Sequence, residues 1–580
     1  MTRLIGGYAA ALGLVVFVNV AFGEFRTGQL AVFLTLAVLA VSLDLVWGYS
    51  GILSLGQLLP FGTAAYLTAR ISSAQPAWSL GALVASVLIG ALVSWVIAAA
   101  AFRRRLSLVV VGLLTLMLSL TFEQIAEQWR DVTGGFNGLS GIPGISIFGY
   151  QLTSGAQDFV TAVVAVTAIA VVWQLVNQPL GAVLIGIRDN ERRIEALGYN
   201  TISIKIWVFA LGGAIAGLAG WLNAHQTGFV SPGKFGFVLA TNVVLWTLIG
   251  GRGTIVGPVL GTLLINFASA ALADSWLQYW VLATGVIFIA AVVLVPEGVL
   301  PAILRLFGKP ARRIRNPQLH PSETTTLDAG DKAVLSADEI EKSYGPFSVL
   351  KQVTLTMERP ELRCLIGPNG AGKTTMLDIL CGQQHHQSGA VKMFGEDFTG
   401  KPAWDYARHG ISRKFQAPQI IETLSVAENI AVAAWATEPS PSTLMTRAWT
   451  AEVPTGALRI LERTGLAIRR DDAAGDLSHG EKQWLEIAMA LSGTCRILLL
   501  DEPTAGMTVA ESLEAAELLR ELHAAQQLPI VIVEHDMAFI RAVADRVTVL
   551  ARGGLLADGT VAEVEANPDV RAVYIGSADK

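Results

Sequence analysis

The sequence predicts two architectures in one chain: an N-terminal polytopic α-helical membrane domain of about eight to ten spans, then a C-terminal α/β domain built on a phosphate-binding loop. Three observations carry this. Apolar runs of spanning length fill residues 1–300. Charge is lopsided: residues 1–300 hold 24 of the 89 Asp, Glu, Lys and Arg residues, and 301–580 hold the other 65. The stretch ELRCLIGPNGAGKTTMLDIL at 361–380 reads as strand, Gly-rich loop and helix. At 580 residues the chain exceeds one ordinary domain. The expected division is a membrane domain over 1–300, a linker over 301–332 and a nucleotide-binding domain over 333–580.

Apolar runs long enough to cross a bilayer lie near 4–22, 29–47, 78–101, 106–124, 157–176, 203–223 and 277–296. Arg3 before the first run also suits a signal peptide, but no small-x-small cleavage site follows, so the run is read as a first span. Regions 50–72 and 236–272 are apolar but broken by Gly and Pro; three more crossings there bring the count to about ten. Basic clusters at Arg103–Arg105, at Arg188, Arg192 and Arg193, and at Arg305, Lys309, Arg312, Arg313 and Arg315 then share one side. That side is the cytoplasm, with both termini on it and segment 126–156 outside. The expected location is the plasma (inner) membrane, multi-pass, with lipid as a partner.

Two stretches look interrupted: GYSGILSLGQLLPFG (48–62) and LIGGRGTIVGPVLGT (248–262). Lipid cannot satisfy the backbone groups that such breaks free. Either the breaks line a substrate path, with Ser54, Gln57 and Arg252 as candidates, or the small residues serve tight helix packing. The loop IRDNERRIEALGYN (187–200) is short, charged and helix-forming; it is a solvated helix or a docking element for a cytosolic domain, with Arg188, Glu191 and Arg192 as candidates. Residues 301–332, rich in Pro, Arg, Ser and Thr without apolar periodicity, read as a flexible tether.

In the second half, Gly367, Gly372, Lys373 and Thr374 fit G-x-x-x-x-G-K-[ST]. Glycines let backbone N–H groups curl around phosphates, Lys373 neutralises the β- and γ-phosphates, and the Thr374 hydroxyl suits Mg²⁺. The candidate ATP contacts of the loop are Gly367, Asn369, Gly370, Ala371, Gly372, Lys373, Thr374 and Thr375. RILLLDEPTAG (496–506) ends a buried strand in Asp501, a Mg²⁺ candidate, and Glu502, placed to orient or deprotonate an attacking water. IVIVEHDM (530–537) puts His535 at another strand end, within reach of a γ-phosphate. In DLSHGEKQW (476–484), Ser478 and Gly480 open a helix, which makes an anion site. The chain already has its own phosphate loop, so a second such helix end suits the site of a facing subunit.

Residues 333–576 resemble the nucleotide-binding domain of ABC transporters. LSHGE (477–481) is similar to the signature LSGGQ, departing at His479 and Glu481. The resemblance implies that Ser478 and Gly480 contact ATP across a dimer interface. It implies that Gln416 in SRKFQAP senses Mg²⁺ and the membrane domain, that Tyr344 in KSYG stacks on adenine, and that His535 is the switch histidine. AGMT (505–508) departs from the usual loop ending in Asp, with Thr508 in its place.

The wording of SRKFQAP, LSHGEKQWLEIAMAL, DEPTAGMT and VEHDM further resembles the urea and short-chain amide branch of the branched-chain amino acid uptake family. LDLVWGYSGILSLGQ, TGGFNGLSGIPG and GGRGT resemble that family's permease, although Gln57 stands where the family usually has His. Permease and ATPase are normally separate polypeptides and here stand in one chain. The resemblance implies ATP-driven import of urea or short-chain amides, or of branched-chain amino acids, by two permease–ATPase halves fed by an extracytoplasmic solute-binding protein. An exporter and a membrane-anchored ATPase regulator are the rival classes. The broken segments and short loops weigh against the first, and the number of spans against the second.

Composition restricts the remaining classes. A net charge of −5 leaves no large basic surface, so no nucleic-acid partner is expected. Cys364, Cys381 and Cys495 are not at metal-ligand spacing and read as reduced, buried thiols.

Overall fold

The computed structural model describes residues 2–276, 285–286, 289–290, 293–294, 298–307, 316–323, 333–446 and 448–575. Most of the span expected near 277–296 lies outside them, as do Lys309, Arg312, Arg313 and Arg315. The chain forms two compact units: Met1–Arg188 with Ile202–Arg313, and Asp189–Thr201 with Ile314–Lys580.

Among the described residues of the first unit, five helices are long and apolar enough to cross a membrane: Gly23–Tyr49, Pro76–Arg103, Leu108–Gln128, Ser154–Val176 and Thr201–Thr227. Each satisfies its own backbone, as a lipid environment requires. Helical backbone also runs from Thr2 to a break at Gly23, whose φ is 77°. Helices Pro76–Arg103 and Thr201–Thr227 approach closely through small residues. A Cβ on Gly90 would lie 2.3 Å from the Gly213 carbonyl oxygen, and one on Gly217 would lie 2.2 Å from that of Ser86. Val84, Leu88, Leu92 and Trp95 of the first of these helices are exposed, an apolar face suited to lipid.

Both interrupted stretches are non-helical where the sequence expects. The first passes through a π-helical turn, Leu45–Tyr49, and irregular backbone before helix Leu58–Ala74. The second is two helices, Phe237–Gly250 and Val256–Trp276, on either side of a short turn. The two breaks meet. Buried Asp44 accepts the Gly253 N–H at 2.6 Å through Oδ1 and the Ile255 N–H at 3.0 Å through Oδ2. Arg188 Nη1 donates to the Gly48 carbonyl at 2.8 Å. Backbone groups freed by one break are thus bonded by a side chain beside the other.

The second unit is an α/β fold. Its six-stranded sheet comprises β1 (Leu362–Ile366), β2 (Ile411–Lys414), β3 (Ile497–Asp501), β4 (Ile530–Val533), β5 (Arg546–Ala551) and β6 (Gly554–Gly559), in the order β2-β3-β4-β1-β5-β6. All neighbours pair in parallel except β5 with β6. β1, β3 and β4 are wholly buried, which is why they read as continuous apolar runs. A four-stranded antiparallel sheet, including Leu335–Tyr344 and Phe347–Met357, packs through Ile340, Val353 and Leu355 onto the core of Leu365, Leu377, Leu499 and Val531.

The described part of the expected tether contains secondary structure. Residues Gln318–Ser322 form a strand paired in parallel with Thr450–Pro454. Arg470 Nη2 fixes its start through the Pro317 carbonyl at 3.0 Å. This pairing joins segments far apart in sequence, so no local periodicity announces it.

Candidate nucleotide site

β1 delivers the chain into the Gly-rich loop, and helix Lys373–Leu380 leaves it. Two glycines are required by space. A Cβ on Gly367 would lie 2.1 Å from the Leu550 carbonyl oxygen; Gly372, at φ 97°, would put one 2.6 Å from Leu350 Cδ2. Lys373 Nζ donates to the carbonyls of Gly367 at 2.7 Å and Pro368 at 3.1 Å, which holds the ammonium inside the curl of the loop. Burial lowers its pKa, and the charges of Glu502 and Asp501 oppose that.

Asp501 closes β3, almost fully buried. Its Oδ2 receives Arg413 Nη2 at 3.2 Å, and its Oδ1 is buried without a partner among the described residues. Burial raises the Asp501 pKa while Arg413 works against it. An orphaned carboxylate oxygen beside the phosphate loop suits a divalent cation. Glu502 follows with φ 46°, a conformation a non-glycine residue holds only under constraint. The constraint is visible: Lys414 Nζ grips the Asp501 and Glu502 carbonyls at 3.0 and 2.9 Å, and the Glu502 N–H donates to the Val533 carbonyl at 2.9 Å. Gln416 Nε2 donates to Glu502 Oε2 at 3.0 Å. His535 leaves β4 with its side chain 72% exposed, while buried Glu534 accepts its N–H at 3.0 Å and the Thr504 hydroxyl at 2.5 Å. The phosphate loop, Asp501, Glu502 and His535 all leave the C-terminal ends of parallel strands, where an open α/β sheet gathers ligands.

Tyr344 is exposed at the end of its strand, its hydroxyl bonded to Gln384 just past the phosphate-loop helix. Ser478 caps helix His479–Leu491 in a capping box: its Oγ accepts the Glu481 N–H at 3.3 Å, and Glu481 Oε2 accepts the Ser478 N–H at 2.8 Å. The Glu481 departure from the signature therefore has a local use, reinforced by Arg469 Nη1 at 2.8 and 2.9 Å. A Cβ at Gly480 would meet nothing within 4 Å, so no packing among the described residues demands glycine there. Thr508 likewise caps helix Val509–Gln526 with Glu511.

The candidates in 187–200 separate. Arg188 bonds Gly48 in the first unit. Arg192 and Glu191 lie in the second, where Arg192 Nη2 reaches Asp378 Oδ1 at 3.1 Å and Glu191 Oε1 receives the Thr201 hydroxyl at 2.9 Å. Sequence reasoning passed over the residues that fasten this segment. Arg193, 1% exposed, donates to the Arg413 carbonyl at 2.7 Å and the Glu486 carbonyl at 3.0 Å, and lies 3.5 Å from Glu486 Oε1. Arg413 bridges Asp378 at 2.5 Å and Asp501. Phe415 has both Arg192 and Arg413 guanidiniums 4.8 Å from its ring centroid. SRKFQAP contained Arg413 and Phe415; their distant partners had no local signal.

In the first unit Ser54 and Gln57 are buried, and Ser54 Oγ and both amide atoms of Gln57 have no partner among the described residues. Arg252 stacks on Trp47, 5.1 Å from its ring centroid.

Comparison with known proteins accounts for both units. The family described as "Branched-chain amino acid transport system / permease component" matches residues 26–295, "ABC transporter" matches 350–505, and "Branched-chain amino acid ATP-binding cassette transporter" matches 555–580. The high-affinity branched-chain amino acid transport ATP-binding protein LivG of Escherichia coli K12 is 34% identical over 251 residues, 42% of this chain and 98% of that protein. BraF of Pseudomonas aeruginosa, of the same description, is 31% identical over 253 residues, 43% of this chain and 99% of that one. The second unit is an ABC ATPase that binds ATP and couples its hydrolysis to transport. The chain belongs to the branched-chain amino acid ABC importer family, with permease and ATPase in one polypeptide.

Proposed function

We propose that this chain is one permease–ATPase half of an importer in the plasma (inner) membrane, both termini cytoplasmic. It pairs with a second half, either another copy or separate family subunits. It receives solute from an extracytoplasmic binding protein. The carrying observation is the convergence of Lys373, Asp501 with its orphaned oxygen, Glu502 and Gln416 on the phosphate loop. Thr374, Asp501 and Gln416 would hold Mg²⁺, which when bound neutralises charge on the phosphates. Lys373 and the loop amides bind the phosphates. Glu502 orients water and accepts its proton, and His535, exposed at its strand end, contacts the γ-phosphate. Tyr344 packs on the adenine. Ser478 and Gly480 serve the facing half's site, which the unexplained glycine at 480 supports. Arg192 and Glu191 belong to the coupling segment, and Ser54, Gln57 and Arg252 to the solute path.

The named activity of the relatives favours branched-chain amino acids as substrate. A second reading, urea or short-chain amides, rests on the wording of SRKFQAP, LSHGEKQWLEIAMAL and DEPTAGMT. The direct test of the ATP site is Glu502→Gln. The variant should bind ATP like the parent and hydrolyse it at least about a hundredfold more slowly. Hydrolysis at the parent rate would remove Glu502 from the mechanism.

A further inference from the structure

Lys234 lies in the short turn Pro232–Phe235 that follows the Thr201–Thr227 helix. Its Nζ donates to Asn223 Oδ1 at 2.6 Å. Asn223, 1% exposed, in turn donates through Nδ2 to the Thr35 hydroxyl at 2.8 Å. Thr35 stands near the middle of the span Gly23–Tyr49, roughly 18 Å along the axis from Gly23 at 1.5 Å per residue. A lysine ammonium is therefore held by three elements, level with Asn223 about 6 Å inside the Thr227 end of its helix at 1.5 Å per residue, and aimed by a neutral amide. Among the described residues no carboxylate pairs with it: Asp158 is bonded by Gln226, and Glu123 lies against Gly236. An ammonium carries three donors, and Asn223 uses one. A cation at this depth without an anion is costly, and such residues mark solute pathways.

A second observation points the same way. Helix Leu58–Ala74, which follows the first break, packs on this turn: the Tyr66 ring stacks on Phe235 with centroids 5.9 Å apart. On that helix Tyr66, 8% exposed, has a buried hydroxyl without a partner among the described residues, as does Thr63. Two hydroxyls of the helix packed on this turn are thus left without a partner among the described residues.

We infer that Lys234 takes the carboxylate of the transported solute. This rests on the importer reading and narrows it: the substrate class is small carboxylates, amino acids included, and urea and simple amides are poor substrates. Asn223 and Thr35 are positioning residues that fix the ammonium.

The test compares uptake of labelled leucine, leucinamide and urea by cells carrying the complete transporter with wild-type chain, Lys234→Met or Lys234→Arg. Chain level in the membrane and basal ATP hydrolysis serve as folding controls. Leucine should be preferred to leucinamide and urea. Lys234→Met should raise the KM for leucine at least about tenfold with basal hydrolysis unchanged, and Lys234→Arg should retain more uptake. Leucine uptake unchanged by Lys234→Met, or urea preferred by the wild type, overturns the assignment. Wild-type chain that hydrolyses ATP but takes up none of the three overturns the importer reading, and this inference with it. Should Lys234→Met not reach the membrane, the wild-type full chain in lipid nanodiscs decides. Binding of isovalerate but not isovaleramide supports the carboxylate site, and equal binding overturns it.

Discussion

Among single residues, Arg413 has a structural role that no motif assigns. It is 2% exposed and ties Asp378 of the phosphate-loop helix to Asp501. Removing one partner of a buried ion network strands the others. Arg413→Gln should cost the second unit roughly 3–5 kcal/mol in urea unfolding of the full chain. Arg413→Lys should recover only part of that, because an ammonium lacks the fork that reaches both carboxylates. Equal stability of Gln variant and parent would remove the bridge from the account. Glu486 makes a pH prediction. Burial pushes its carboxyl from 4.5 up to about 7, against the pull of Arg193. The neutral form suits the folded site, so this contribution is fully present below about pH 4.5 and lost as pH rises through about 7. Relative to Glu486→Gln, the parent should lose on the order of 3 kcal/mol between pH 5 and pH 8. Parallel profiles would contradict that.

Two elements carry separable roles. The helix His479–Leu491 needs a cap, and the proposed function needs its N-terminus open to a neighbouring phosphate. Ser478→Asp keeps a good cap, so thermal stability should stay close to the parent, while the added charge should cut ATP hydrolysis at least about a hundredfold. Ser478→Ala should cost about 1 kcal/mol of stability from the lost cap alone. Parent-like hydrolysis by Ser478→Asp would confine the serine to capping. The segment 189–201 is fastened by Arg193 and by Tyr199, whose hydroxyl donates to the Val432 carbonyl at 2.7 Å. With Arg193→Met, uptake per ATP hydrolysed should fall several-fold while hydrolysis persists. An unchanged ratio would deny this segment a coupling role.

Across the whole molecule, what the sequence made legible was local. Five spans, both breaks, the strand–loop–helix of the phosphate loop and the capped signature helix each follow from runs of fewer than about thirty residues. What escaped it was pairing at long range. Asp44 bonds Gly253 and Ile255 across more than two hundred positions, Arg193 reaches Glu486 across nearly three hundred, and Gln318–Ser322 pairs with Thr450–Pro454. In each case the local surroundings give no special pattern, and only the fold supplies the partner. The candidate site was legible where it is a phosphate loop and strand ends. It was illegible where it is an ion network.

The measurement that bears most directly on ATP-driven import by this chain is solute entry into sealed vesicles carrying the complete transporter. Labelled leucine would be offered with its binding protein, with ATP and Mg²⁺ supplied on the cytoplasmic side. The expected result is accumulation above the external concentration that requires ATP and vanishes with Glu502→Gln. Accumulation without ATP, or undiminished by that substitution, would contradict it.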